Sequence, residues 1–295
     1  MISLLKNKAY KINGGFVFTA IFLIIIGTYS LVVAFVSGGS PVTDTYDDET
    51  KIAATNQMTV DTGSGQIKLA TAPWTVCGDT LIDSRDSKEY ATVLIGSQCW
   101  MAESMNIGTM TAGSSDQGST CPSAAEIEKY CYNNSESYCT SDGALYQWNQ
   151  AMCGAASCNG TGAPPDDACA SPVQGICPDG WHIPSHYEIV TLEKNVGSNP
   201  GVFPYDTTTV GERGTDEGTQ LKVGGSSGFE ALLSGYRKSV PGYFDAYGSF
   251  NIFWSSLENG TGTSAWIRRL YSDYTTVYRN NFTKSLGYSV RCIKN

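Results

Sequence analysis

Basic residues are scarce in this chain. Its 19 lysines and arginines face 28 aspartates and glutamates, a net charge of −9 over 295 residues. Nucleic acid is excluded as a partner, because its phosphates require clustered Lys and Arg. Histidine is scarcer still: only His182 and His186 occur, and no two of the ten cysteines have CxxC spacing. Without such paired ligands a structural zinc site has no basis, and no metal is expected. Nucleophilic catalysis needs a nucleophile, a base and a third group that orients the base. No third group stands out near either histidine, so both are expected to be structural, and neither enzyme activity nor a cofactor is expected. Three further absences matter: no repeat of fixed period, which removes a solenoid; no charge between positions 16 and 36; and no cysteine before position 77.

The uncharged stretch at 16–36 is 21 residues of mostly Phe, Ile, Leu, Val and Ala, long enough to cross a bilayer as a helix. Lys6, Lys8 and Lys11 precede it, while Asp44, Asp47, Asp48 and Glu49 follow. The positive-inside tendency then leaves the N-terminus in the cytoplasm and the remainder outside, where ten cysteines can pair. The expected organisation is a basic leader at 1–15, a transmembrane helix at 16–36, a Ser/Thr/Gly-rich stalk with one weak hairpin at 37–73, and a folded extracellular domain at 74–295. The protein would thus sit in the cell membrane through a single pass. Two alternatives stay open. Ser37-Gly38-Gly39-Ser40 offers small residues for signal-peptide cleavage. Lys11-Ile12-Asn13-Gly14-Gly15-Phe16 resembles a type IV prepilin leader, although Ala20 stands where that family has glutamate.

Within the domain, residues 80–83 and 89–95 are strand-like runs around the turn-forming Ser84-Arg85-Asp86-Ser87-Lys88, which predicts a hairpin. Helices are predicted at 124–130 and 144–152 from composition and spacing. A third follows Pro184, where Ser185 and Glu188 form a capping box and Ile189, Val190, Leu192 and Val196 give an apolar face ending at Gly197. Beyond it, short runs separated by glycine and serine read as strands. An α+β domain is predicted, with helices early and an antiparallel sheet late.

The last stretch of the chain alternates a rigid-looking frame with a freer filling. The frame is Phe253-Trp254-Ser255-Ser256, Ala265-Trp266, Arg268, Leu270, Val277, Arg279, Lys284, Gly287 and Ser289-Val290-Arg291-Cys292. Between these posts lie Ile267, Arg269, Tyr271, Ser272, Asp273, Tyr274, Tyr278, Asn280, Asn281 and Phe282. Tyr, Asn, Ser and Arg offer large contact area and adaptable hydrogen bonds at low entropic cost, so these ten are the candidate ligand contacts. The plainer reading is a Tyr-rich strand and loop whose rings pack on one another.

Several blocks carry a resemblance in order: Gln98-Cys99-Trp100-Met101-Ala102-Glu103, Tyr130-Cys131-Tyr132-Asn133, Gly143-Ala144-Leu145-Tyr146-Gln147-Trp148, Gln174-Gly175-Ile176-Cys177-Pro178-Asp179-Gly180-Trp181-His182-Ile183-Pro184, and the closing frame. Together they resemble the Fibrobacter succinogenes major paralogous domain family, from about Cys77 onward. That family is similar to C-type lectin-like folds, the architecture of ligand-binding proteins that diversity-generating retroelements mutate. Such mutagenesis yields NNY codons, which cannot encode Trp, Met, Lys, Gln or Glu, and none of these occurs at 267–283. The resemblance implies an extracellular domain that binds a protein or glycan ligand. A pilin-like structural component and an extracellular enzyme on the same fold are the alternatives. In this frame Trp100, Trp181, Trp254 and Trp266 are expected to be core residues, and a bridge from Cys177 to Cys292 would tie the middle of the domain to its end. Cys131 with Cys139, and Cys153 with Cys158, are spaced for local bridges, while Cys77, Cys99, Cys121 and Cys169 stay unassigned. The calcium-dependent sugar motifs of true C-type lectins do not occur, although Asp166-Asp167 offers an acidic loop.

Overall fold

The structure, a computed structural model, describes residues 76–239 and 242–295, together with the backbone of four short strands nearer the N-terminus. The chain divides into two units, 1–69 and 70–295. In the first, Ile21–Ile26 pairs antiparallel with Tyr29–Ala34, and Met58–Val60 with Ile67–Leu69. The latter pair lies in the segment read as a stalk with one weak hairpin. The membrane helix expected at 16–36 falls partly outside the described residues. Where that stretch is described it forms strands, in keeping with the β-branched run of Ile24, Ile25 and Ile26. No helix among the described residues is long and apolar enough to cross a membrane.

The second unit is α+β. Its elements include β1 (Thr92–Ile95), β2 (Gln98–Met101), α1 (Glu136–Asp142), β3 (Leu145–Tyr146), α2 (Trp148–Ala151), β4 (Trp181–His182), α3 (His186–Val196), β5 (Gly211–Arg213), α4 (Glu217–Leu221), β6 (Tyr236–Arg237), β7 (Phe244–Asp245), β8 (Phe250–Glu258), β9 (Ser264–Tyr271), β10 (Val277–Thr283), β11 (Tyr288–Ser289) and β12 (Ile293–Lys294). The main sheet has the order β3-β11-β8-β9-β10-β5, antiparallel except where β8 meets β11. A second sheet, β4-β12-β2-β1, is formed partly by the last strand of the chain.

The two faces of the main sheet bury different cores, because successive side chains of a strand point to opposite sides. Ile252, Trp254, Ala265 and Ile267 join the larger core, with Trp148, Trp181 and Tyr288. Phe253, Leu270 and Val277 join a second one, against Ile189 and Leu192 of α3. Each Ile, Leu, Val or Phe side chain among these contributes about 1.5–3 kcal/mol on burial. The predicted capping box holds the start of α3: Ser185 Oγ accepts from the Glu188 N–H at 2.9 Å, and a Glu188 carboxylate oxygen accepts from the Ser185 N–H at 2.7 Å.

Two predicted helices are corrected. At 124–130 there is only a single turn, Ala124–Glu126, before Glu128–Lys129 pairs with Thr109–Met110. At 144–152 the first part is β3, paired with β11, and only Trp148–Ala151 is helical. In both places the chain finds strand partners far away in sequence, which local composition does not report. The hairpin near residues 80–95 is present in shorter form, Leu81–Ile82 with Glu89–Tyr90, and residues 92–95 turn instead to β2.

All ten cysteines are bonded, as Cys77–Cys99, Cys121–Cys153, Cys131–Cys139, Cys158–Cys169 and Cys177–Cys292. The expected pairing of Cys153 with Cys158 is not formed. Cys153 sits just past α2 in a left-handed conformation, φ 51°. Cys158, by contrast, is drawn away by its N–H bond to the Ser256 carbonyl.

Candidate binding surface

Strand register assembles the surface. Arg269 of β9 lies between Ile252 of β8 and Tyr278 of β10, Tyr271 lies beside Phe250, and Ile267 lies between Trp254 and Asn280. One face of the sheet therefore carries Phe250, Arg269, Tyr271, Tyr278 and Phe282, all half-buried. The opposite face carries Trp266, Arg268, Leu270, Val277 and Arg279, all buried. These inward residues are frame posts of the sequence, and most of the filling lies on the outward face or in the turn that follows it.

Arg269 is the centre of the outward face. Its guanidinium lies 4.4 Å from the Tyr271 ring and 4.4 Å from the Tyr278 ring, with Phe250 at 5.3 Å and Phe282 at 5.7 Å. Each such contact is worth about 0.5–2 kcal/mol, depending on desolvation. Its Nε is enclosed and has no acceptor among the described residues. Further rings extend the surface: Tyr236 stacks on Phe250 at 5.6 Å, and Tyr274 lies 5.0 Å from Tyr271. Tyr274 is 52% exposed. Burial raises the pKa of the Tyr271 phenol, keeping it protonated as a donor.

The turn between β9 and β10 is pinned by Lys222, whose Nζ donates to the carbonyls of Tyr271 at 2.7 Å, Ser272 at 3.2 Å and Tyr274 at 2.8 Å. Ser272 and Asp273 are exposed on it and bonded to each other at 2.6 Å. Asn280 is half-buried and donates to the Tyr278 hydroxyl at 2.6 Å. Two of the ten candidate residues are corrected. Ile267 is wholly buried in the larger core, since its strand neighbours are covered there. Asn281 lies opposite Trp266 on the inward side and accepts from Asn259 at 3.0 Å. Conversely, Phe250 and Tyr236 belong to the surface and were not among the ten. The alternation Phe250, Ile252, Trp254 points to the first; nothing local points to Tyr236.

Of the other titratable groups singled out by sequence, Asp166 is exposed, while His182, His186 and Asp167 are engaged inside the fold. His182 lies between Glu188 at 2.9 Å and Asn295 at 2.6 Å. His186 is buried against Trp266 at 4.6 Å. The side chain of Asp167, also buried, accepts from Thr191 at 2.6 Å. Cys131, Glu136 and Cys139 lie close enough to suggest a metal site, but the two sulfurs are joined to each other and offer no thiolate. All four tryptophans expected in the core are buried.

The family model described as Fibrobacter succinogenes major domain matches residues 93–294 of the chain. No curated protein and no solved structure matches it.

Proposed function

The chain belongs to the Fibrobacter succinogenes major domain family, and from that premise we propose that its folded unit is an exported domain that binds a protein or glycan ligand on the outward face of its main sheet. The observation that carries this reading is Arg269, half-buried at the centre of four aromatic rings on that face. Tyr and Arg are the residues that most often anchor interfaces. Binding is proposed rather than catalysis: both histidines are buried, and each cysteine is in a disulfide. Five disulfides support a location outside the cytoplasm. The apolar stretch at 16–36, by its length and lack of charge, is proposed to hold the protein at the membrane.

The reading is tested with Tyr274→Ala and Arg269→Ala, compared with the native chain on panels of immobilised glycans and peptides. Tyr274 is largely exposed, so its loss should weaken binding by about tenfold with little change in Tm. Native-like binding by both variants would sink the proposal.

We also propose a C-type lectin-like architecture whose outward residues are diversified by a retroelement. The strand alternation supports it, because residues at 271–274, 278, 280 and 282 can change without touching the side that packs on α3. A reverse transcriptase gene and an adenine-rich near-copy of the DNA encoding residues 251–292 are expected nearby in the genome. Sequencing that finds neither removes diversification and leaves the binding surface standing.

A further inference from the structure

Four arginines are buried among the described residues: Arg237, Arg268, Arg279 and Arg291. Three have a carboxylate partner, in Asp116, Glu193 and Asp206 respectively. Arg291 has none among the described residues. Its side chain is 2% exposed, and its hydrogen bonds both leave from Nη1, to the carbonyls of Met101 at 3.1 Å and of Phe229. Nε has no acceptor, and the guanidinium lies 4.3 Å from the Phe229 ring and 5.5 Å from Phe253. Carbonyls and ring faces compensate a buried cation only in part, because a desolvated charge needs a counter-ion. Burial accordingly pulls the pKa of this guanidinium down to about 9.

Arg291 also lines an open cavity of about 400 Å³, within the size range of small-ligand sites. Glu89, Glu103, Asp142 and Glu230 stand on the walls of that cavity with Lys88, whose ammonium is tied to Asp86 at 2.8 Å, and Glu103 and Glu230 act on the guanidinium through their charge. Glu230 is held at φ 52°, a left-handed conformation that residues other than glycine rarely adopt and that gathers at ligand sites. It directly follows Phe229, whose carbonyl holds Arg291, so one short segment fixes both charges.

We propose that this cavity binds a small zwitterion of the amino acid class, its carboxylate against Arg291 and its ammonium against Glu230 and Glu103. A simple dianion would meet the carboxylates of the wall, and a simple cation would meet the arginine. A ligand that carries both charges a few bonds apart satisfies both. The site shares no residue with the aromatic sheet face, so either can fail alone.

The full chain, with its disulfides intact, is titrated separately with glycine, acetate and methylamine while the Arg291 Nε–H resonance is followed by NMR and Tm by thermal melting. Glycine is expected to shift that resonance saturably and raise Tm, with acetate and methylamine binding about tenfold more weakly or less. Glu230→Gln should weaken glycine by about tenfold in an unchanged fold. Arg291→Lys, which lacks the observed resonance, should lose the glycine-induced rise in Tm, and if that variant does not fold, Glu230→Gln carries the test. Absence of a saturable shift with glycine, equal binding of acetate, or full affinity in Glu230→Gln overturns the proposal.

Discussion

His186 is a histidine that the fold keeps neutral. Burial, and then the positive charges of Arg268 and Arg279, hold its pKa well below the ordinary 6.5. Its tautomer follows from its neighbours. Nε2 lies 2.8 Å from the Asp206 carbonyl, which can only accept, so Nε2 carries the hydrogen and Nδ1 faces the Arg268 Nη1 at 3.3 Å as acceptor. In the unfolded chain the imidazole regains its ordinary pKa of 6.5. The unfolded state then binds more protons below that pH, so the stability present above about 6.5 is lost as pH falls, by up to about 1.4 kcal/mol per unit. Urea unfolding of the native chain between about pH 7.5 and pH 5 should therefore show a steeper loss than that of His186→Gln, by about that slope. Parallel pH profiles would mean that the folded imidazole titrates normally.

At the scale of elements, what the sequence disclosed was periodicity. Posts such as Trp266, Arg268 and Leu270 alternate with filling such as Arg269 and Tyr271 because β9 is a strand buried on one side and half-open on the other. The capping box of α3 was equally legible, since both of its bonds form between residues three apart. Elements that depend on distant partners were not. Leu145 and Tyr146 have helical neighbours in sequence, yet they pair with Ser289 and Tyr288 near the end of the chain. Ile267 breaks the simple rule from the other side: it shares a face with Arg269, but that end of the face is covered by the larger core. Tyr236 reaches the binding surface through stacking on Phe250, and Lys222 reaches the β9–β10 turn from α4's far end. Neither position bears a local signal, because a side chain's target across the fold leaves no mark on its own neighbours.

For the molecule as a whole, the Cys177–Cys292 bridge closes the longest loop, with a sequence separation of 115, while Cys131–Cys139 closes one of only 8. Chain entropy makes the first worth about 5 kcal/mol and the second about 2.5. All four cysteines are buried, so replacing either pair with serine buries two hydroxyls in place of a bridge, and that cost is similar in both variants. The difference between them then reports loop closure itself. The bridge also joins the residue before the Pro-Asp-Gly turn leading into β4 to the one preceding β12, and those two strands pair with each other. Cutting it should loosen the junction between the end of the chain and the second sheet, where Ile293 also pairs with Trp100. Cys177→Ser with Cys292→Ser should accordingly lose about 2 kcal/mol more in urea unfolding than Cys131→Ser with Cys139→Ser. Equal losses would show that the long bridge adds no constraint beyond what the paired strands already impose.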